Sequence, residues 1–269
     1  MFQLTTKASK QTLLKRGIPE HLIVEQQGES GATFVTIYAE GREEIDRYGA
    51  WCKGLTHEIV ELVESDWKTK WKQYVRPFAI TSDIVVIPAW KEATGKRYAA
   101  KKTILLDTDM AFGDGLHATT RLVARLLETY RGTYTSFLDV GCGSGILSLI
   151  ASVYGAKTIV STDIEAESAE TTKANFARNA IADATVTCGD FSDFTTDLTF
   201  DCIAANILSK ELLRFPQKFA SLLSPGGILI VSGVNEEHFP QLRDLFAAEG
   251  LRCLSSRRMR GWRGAVFGK

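Results

Sequence analysis

Two patterns of hydrophobic positions divide the chain near residue 64. In the first part, short apolar segments alternate with polar turns, and their spacing predicts strands and helices in the order β-α-β-β-α-β. The predicted strands are Phe2–Thr6, Leu22–Gln26, Thr33–Tyr38 and His57–Val63, and the predicted helices are Lys7–Arg16 and Gly41–Cys52. This order is typical of a ferredoxin-like α+β module. We therefore predict a small ferredoxin-like domain over residues 1–64.

The second part shows regular alternation of buried strands with amphipathic helices. After a strand at Ile84–Pro88 and a polar loop at Lys91–Lys102, a helix at Thr120–Tyr130 precedes a glycine turn and a helix that ends near Tyr154. The strands predicted around and after that turn are Phe137–Val140, Thr158–Thr162, Thr185–Thr187, Cys202–Ala205 and Ile228–Ser232. Such alternation predicts a parallel, doubly wound α/β sheet, and we assign residues 79–269 to this Rossmann-like domain.

A tryptophan-containing segment at residues 65–78 joins the two predicted domains. Ser65 or Asp66 can cap a helix in which Trp67 and Trp71, four residues apart, share one face. Two interpretations stay open: a connector helix packed at the domain seam, or a hinge between a recognition module and a catalytic one.

Composition narrows the class of protein. The 269 residues are 45% hydrophobic and 24% charged with zero formal net charge, so bulk charge favours neither nucleic acid nor membrane as a partner. There is no apolar stretch of ~18 residues and no signal-peptide pattern at the start. The five cysteines lack metal-ligand spacing, which favours reduced thiols. We predict a cytoplasmic protein without a metal site.

The candidate chemistry begins at a glycine turn between a strand and a helix. Gly141, Gly143 and Gly145 follow the strand Phe137–Val140, and glycine permits positive φ and close approach of a ligand to the backbone. Asp163 ends the next strand, where an acidic side chain can bind ribose hydroxyls. The sequence therefore predicts a nucleotide site, with a purely structural glycine turn as the alternative.

The spacing of the glycines indicates which nucleotide is bound. A dinucleotide fold uses G-x-G-x-x-G, whereas this chain has G-x-G-x-G and no phosphate-loop lysine, which argues against a nicotinamide-dependent oxidoreductase. Asp139, at the end of the preceding strand, would repel a pyrophosphate. It would suit a ligand that carries an ammonium and a sulfonium.

Several segments resemble a known family. Leu138–Gly145 is similar to motif I of class I S-adenosylmethionine methyltransferases, and Asp201–Leu208 and Leu222–Ile230 are similar to later strands of that superfamily. Asp109–Thr120 resembles the A-F-G-T-G-x-H-x-T-T segment of the ribosomal protein L11 methyltransferase family. The same family has an N-I-L segment, which Asn206-Ile207-Leu208 resembles, and a tryptophan-rich linker, which Asp66–Phe78 resembles. It also has a C-terminal tryptophan that corresponds to Trp262. The resemblance covers roughly residues 65–269, and the first 64 residues match only in length and predicted topology.

The resemblance implies a cofactor, a substrate and a set of contacts. It implies S-adenosyl-L-methionine bound by Thr120, Gly141, Asp163 and Asn206, to which we add Gly143 of the same loop. It implies methylation of the α-amine and lysine side chains of ribosomal protein L11, gripped by the ferredoxin-like module, with the linker as hinge. We assign no catalytic base. This chain departs from the family at Asp114, which replaces a threonine, and at Asp107-Thr108-Asp109, which replaces Asp-Pro-Gly.

Besides the nicotinamide-dependent oxidoreductase, two alternatives and two interpretations of His117 remain open. The first alternative is another methyltransferase, acting on RNA or a small molecule. A run of basic residues near the C-terminus could contact phosphates. We interpret that run as a solvated face and expect no direct nucleic-acid binding. Its members are Arg252, Arg257, Arg258, Arg260 and Arg263. A binding module with a degenerate methyltransferase fold is disfavoured by the intact Gly141, Asp163 and Asn206. His117 either forms hydrogen bonds within its loop or shapes the cover of the cofactor site.

Overall fold

The computed structural model describes residues 2–18, 23–27, 33–39, 41–61, 76–91, 98, 101–108 and 113–269. The chain divides into two compact units, Met1–Val75 and Arg76–Lys269. The predicted linker helix around Trp67 and Trp71 lies outside the described residues.

The first unit contains an antiparallel four-stranded sheet. The elements in chain order are β1 (Phe2–Thr6), α1 (Lys10–Lys15), β2 (Ile23–Gln27), β3 (Thr33–Ala39), α2 (Arg42–Trp51) and β4 (His57–Glu61). The order in the sheet is β2-β3-β1-β4, with β1 central between β3 and β4. Helix α1 begins later than predicted because Ser9, not Lys7, precedes it: the Ser9 hydroxyl accepts a hydrogen bond from the Thr12 N–H at 3.3 Å.

One apolar cluster holds this unit together. Leu4 and Ile37 on the sheet and Leu13 and Ile45 on the two helices are each fully buried. Alternate positions of the strands supply the sheet side of the cluster, and each helix supplies one face. The apolar positions that alternate along the sequence are therefore the ones that form this buried cluster.

The second unit begins with a small three-stranded sheet. Strands β5 (Phe78–Ala79), β6 (Ile84–Pro88) and β7 (Lys102–Leu106) form it, with β6 and β7 parallel and β5 antiparallel. The sequence pattern does not predict β7, because only Ile104 and Leu106 are buried in a strand that begins with a lysine.

The main sheet has seven strands in the order β10-β9-β8-β11-β12-β14-β13. Its strands are β8 (Ser136–Val140), β9 (Thr158–Asp163), β10 (Ala184–Cys188), β11 (Phe200–Asn206), β12 (Leu223–Asn235), β13 (Arg252–Met259) and β14 (Trp262–Gly268). The helices are α3 (Ala118–Thr129), α4 (Ile146–Val153), α5 (Ala166–Arg178), α6 (Ser209–Leu212), α7 (Pro216–Leu222) and α8 (Phe239–Ala248). Strands β8 to β12 are parallel to one another, as predicted.

The prediction of a wholly parallel sheet is wrong at the C-terminal edge. Strand β14 is antiparallel to both β12 and β13. Arg260 and Gly261 connect β13 to β14 with φ values of 51° and 81°, the two positive angles of a type I′ hairpin turn. Arg-Gly lacks the asparagine or aspartate that usually signals this turn, so the sequence pattern indicates a solvated basic face and not a hairpin.

Helices cover both faces of the main sheet. In β8, Phe137 packs with Leu127 and Ile150 on one side, whereas Leu138 packs with Phe219 and Leu242 on the other. Successive side chains of a strand point to opposite faces, so a strand buried on both sides is apolar at most positions. Fully burying one such side chain contributes ~1.5–3 kcal/mol. The two apolar layers hold the strands of the sheet, and therefore the strand ends at its carboxyl edge, in fixed positions.

Candidate cofactor and active site

A cavity of about 830 Å³ lies at the carboxyl edge of the parallel strands. Strands β8, β9 and β11 end there at Val140, Asp163 and Asn206. Of the residues predicted for the site, Gly141, Gly143, Asp163 and Asn206 line this cavity. Ligands of doubly wound folds bind at this edge, where the loops after the strands converge.

The glycine turn after β8 folds back on β9. Gly141 has φ of 73°, and its N–H donates to the Thr162 carbonyl oxygen at 2.9 Å. A Cβ at this position would lie 2.3 Å from Cγ2 of Ile207. Glycine is therefore required here for two reasons, backbone conformation and close approach to the segment after β11.

Asp163 ties the turn to the end of β9. One carboxylate oxygen accepts from the Gly143 N–H at 2.8 Å, and the other accepts from the Glu165 N–H at 3.0 Å. A carboxylate can accept about four hydrogen bonds, so Asp163 retains acceptor capacity toward the cavity that it lines.

The opposite wall is built around Asn206. Its Nδ2 donates to the Thr120 Oγ1 at 3.4 Å, a long hydrogen bond. Thr120 is buried behind the wall, and its neighbour Thr119 lines the cavity instead. Thr120 therefore reaches the cavity through Asn206.

His117 forms hydrogen bonds next to its loop and also lines the cavity, so both interpretations of this residue apply. It caps α3, with Nδ1 accepting from the Thr119 N–H at 3.4 Å and lying 2.8 Å from the Thr119 hydroxyl. Its ring also meets Trp262 edge-on, with 5.7 Å between the ring centroids, and both rings line the cavity. The histidine is a loop hydrogen-bonding residue and part of the cavity wall.

Asp139 does not have the position that the sequence argument assigned to it. The side chain is fully buried, and one carboxylate oxygen accepts from the Ser148 N–H at 3.1 Å and the Ser148 hydroxyl at 2.7 Å. Burial raises the pKa of Asp139 to about 7, against the lowering effect of the Ser148 hydrogen bonds. Asp139 is not among the residues that line the cavity, so the sequence-based expectation that it faces the ligand is wrong.

Several residues of the cavity wall were not predicted from the sequence. Asp190 and Phe191 follow β10, and Ile164 follows Asp163; all three line the cavity. The Ser192 backbone N–H donates to Asp190 and lowers its pKa, and Arg214 lies 4.0 Å from the same carboxylate. An acidic residue just after a parallel strand is the pattern that identified Asp163, and it would have identified Asp190 too.

The charges of the wall suit a cationic nucleoside better than a pyrophosphate. Its carboxylates are those of Asp163, Glu165, Asp190 and Glu211, and its cations are Lys210 and Arg214. Arg214 forms ion pairs with Glu211 and Asp190. Within the ranges that the structure describes, no group of His, Cys, Asp and Glu side chains is arranged to hold a metal ion, and no helix is long and apolar enough to cross a membrane.

Strand order, glycine turn and acidic cavity together define the class: an S-adenosylmethionine-dependent methyltransferase with a Rossmann-like catalytic domain. A family model described as "Ribosomal protein L11 methyltransferase (PrmA)" matches residues 8–269. The chain belongs to the ribosomal protein L11 methyltransferase family.

Individual relatives agree with this assignment. The ribosomal protein L11 methyltransferase of Pelobacter propionicus is 34% identical over 231 residues, which are 83% of this chain and 74% of that protein. The ribosomal protein L11 methyltransferase of Sorangium cellulosum is 36% identical over 201 residues. The matched region is 63% of that protein's length, slightly less than two thirds. The crystal structure of a ribosomal protein L11 methylase from Lactobacillus delbrueckii subsp. bulgaricus superimposes with a TM-score of 0.65 at 30% identity, covering 72% of this chain and 98% of that one.

Proposed function

We propose that this protein transfers methyl groups from S-adenosylmethionine to amino groups of ribosomal protein L11, either lysine side chains or the α-amine. The observation that carries the proposal is the pairing, in one cavity, of an anchored carboxylate at Asp163 with a side-chain amide at Asn206. The relatives at 34% and 36% identity carry the name of the same activity.

The cofactor supplies a methyl group already activated on a sulfonium, and this chain's residues bind and orient. We assign the ribose hydroxyls to Asp163, and the backbone of Gly141 and Gly143 to the floor of the site. Asp190, whose carboxylate lines the cavity beyond Asp163, suits an exocyclic amino group of the base. Carboxylates favour this cationic nucleoside over a pyrophosphate-containing dinucleotide, which needs donors.

Asn206 and Thr120 act on the acceptor side of the site. In the described part of the chain no hydrogen bond is formed by the Asn206 Oδ1, so this oxygen can accept from an incoming amine while Nδ2 is held by Thr120. An amine attacks only when neutral, and a free lysine has a pKa of ~10.4. Desolvation of the amine as it enters the site lowers that pKa, and no protein base is assigned.

For the first unit we propose a ferredoxin-like module that recognises the protein substrate. Support comes from its βαββαβ element order and its β2-β3-β1-β4 antiparallel sheet. A chain that begins at Ser65 should bind S-adenosylmethionine like the full chain but methylate L11 poorly. Methylation of L11 at the full rate by the shortened chain would contradict the recognition role.

Mass spectrometry after incubation with S-adenosylmethionine tests the substrate. Purified L11, a mixture of other ribosomal proteins and ribosomal RNA are offered separately, and mass increments of one methyl are counted. We expect them on L11 amines alone, and also expect the protein to act in the cytoplasm without binding nucleic acid directly. Methylation of RNA with none on L11 would replace this proposal with an RNA methyltransferase.

A further inference from the structure

Asn175 of helix α5 and Asn179, the residue that caps the C-terminus of that helix, bind the end of β7 in the manner of a neighbouring strand. Asn179 accepts from the Leu105 N–H at 2.9 Å through Oδ1 and donates to the Leu105 carbonyl at 2.7 Å through Nδ2. Asn175, four residues earlier, forms the same two bonds with Asp107, at 3.0 and 2.7 Å. Residues two apart on a strand present their N–H and C=O to the same edge, so one helix face reads both.

Only Asn175 also reaches the glycine turn. Its second amide hydrogen is donated to the Ser144 carbonyl oxygen at 2.9 Å, and its Oδ1 accepts additionally from Arg178 at 3.2 Å. The side chain is fully buried, and its two donors and two acceptor sites are all used. Replacing such a group leaves several buried backbone groups without partners.

Ser144 also binds Gly113, which follows Asp107 along the chain. Its buried hydroxyl donates to the Gly113 carbonyl oxygen at 2.6 Å. A Cβ at Gly113 would lie 2.9 Å from that hydroxyl oxygen, so the two backbones are in close contact. Asp107 and Gly113 are thus both held to the glycine turn, and the chain continues from Gly113 to His117 and Thr119 in the cavity wall.

We propose that Asn175 is a positioning residue for methyl transfer: together with Ser144 it sets the glycine turn in register with the segment that brings His117 and Thr119 to the cavity. The turn carries the cofactor contacts and the segment lies beside Asn206, so the link fixes the two reactants relative to each other. This inference rests on the proposed function, because it assigns a consequence to the same site.

The test compares Asn175→Asp with Asn179→Ala. The first is nearly isosteric and keeps the acceptor for the Asp107 N–H, but it loses both donors, including the one to Ser144. The second removes equivalent hydrogen bonds to β7 and leaves the glycine turn connected. Melting temperature, Kd for S-adenosylmethionine by titration calorimetry, and kcat and KM for L11 methylation are measured on each protein.

We expect both variants to lose thermal stability, and only Asn175→Asp to weaken cofactor binding by about tenfold or more, with kcat reduced, since buried donors to the turn are lost. Asn179→Ala should keep the Kd within about twofold, the change expected away from the site. Equal Kd values for the wild type and Asn175→Asp, or equal losses in the two variants, would overturn the positioning role. Absence of S-adenosylmethionine binding by the wild type would instead overturn the proposed function.

Ser144→Ala keeps the test decisive if Asn175→Asp does not fold. It frees Gly113 while the Ser144 carbonyl remains bonded to Asn175. We expect kcat to fall by about fivefold or more with a smaller change in cofactor Kd, the pattern of an interaction that matters in the transition state. A kcat equal to that of the wild type would contradict the connection.

Discussion

The two ends of the cavity differ in how completely their polar groups are paired. At the glycine-turn end, Asp163 accepts two backbone N–H groups, and Thr172 donates to the Gly143 carbonyl at 2.9 Å. At the other end, Asn206 forms one long hydrogen bond within the described part of the chain, through Nδ2, and its Oδ1 forms none there. The first end is preorganised for one ligand. The second keeps hydrogen-bonding capacity for a group that must enter and leave.

The largest effect is expected from Gly141→Ala, which disrupts the glycine turn at the more completely paired end of the cavity. The new Cβ would meet Ile207, and the residue would be held at a positive φ. Gly132 offers a matched control, because its φ is 78° and nothing lies within 4 Å of its would-be Cβ. We expect Gly132→Ala to lower the free energy of unfolding by about 1–2 kcal/mol and Gly141→Ala to lower it by a further ~1–3 kcal/mol. Denaturant titration measures both, and equal losses would show that the contact with Ile207 does not matter.

At the less paired end, Asn206→Ala should affect the rate more than cofactor binding. If the amide orients the incoming amine, kcat should fall by ~10²-fold or more, as when one preorganised polar contact is removed. Thr120→Val is the companion variant, since it removes only the hydroxyl that holds Nδ2 and should give a smaller loss of the same kind. A destabilised Asn206→Ala enzyme with near-normal kcat would show that the asparagine serves the fold alone.

Asp163→Ala tests the assignment of the ribose to the paired end. Loss of hydrogen bonds to a charged group should weaken S-adenosylmethionine binding by ~1.5–3 kcal/mol in titration calorimetry. Glu165→Ala is the matched comparison, because it removes a neighbouring carboxylate of the same cavity and leaves the Gly143 N–H bonded to Asp163. If the two variants bind the cofactor equally well, Asp163 has no special role.

The smallest expected effect concerns the buried carboxyl beneath the glycine turn. Because the folded pKa of Asp139 is about 7, the folded state keeps a proton that the unfolded state releases as pH rises from ~4 to ~7. This group's contribution to the free energy of unfolding therefore falls across that window and stays unfavourable above it. The stability of Asp139→Asn relative to the wild type should therefore be greater at pH 8 than at pH 6, by on the order of 1–2 kcal/mol. Thermal melts at both pH values measure it, and a pH-independent difference would contradict the raised pKa.

Local pattern explains why much of the catalytic unit was predictable. Strands buried on both faces, such as β8 and β11, are apolar at most positions, and a glycine turn between strand and helix needs positive φ, which few residues adopt. The β13–β14 hairpin escaped prediction because its Arg260-Gly261 turn lacks the usual asparagine or aspartate. Strand β7 escaped prediction because its stability depends on partners distant in sequence. Asn175 and Asn179 complete the edge of β7, and Tyr130 lies 3.4 Å from Ser255 on β13.

The sequence by itself determined the α/β class, the glycine turn and the acidic and amide residues at the strand ends, since each depends on neighbouring positions and on the fixed direction of a strand. Only the tertiary structure decided which of them face the cavity. Asp139 and Asp163 each lie at a strand end, yet one is sealed under the turn and the other lines the site. That difference arises from packing between segments far apart in the chain, and side-chain orientation across such contacts has no local signal.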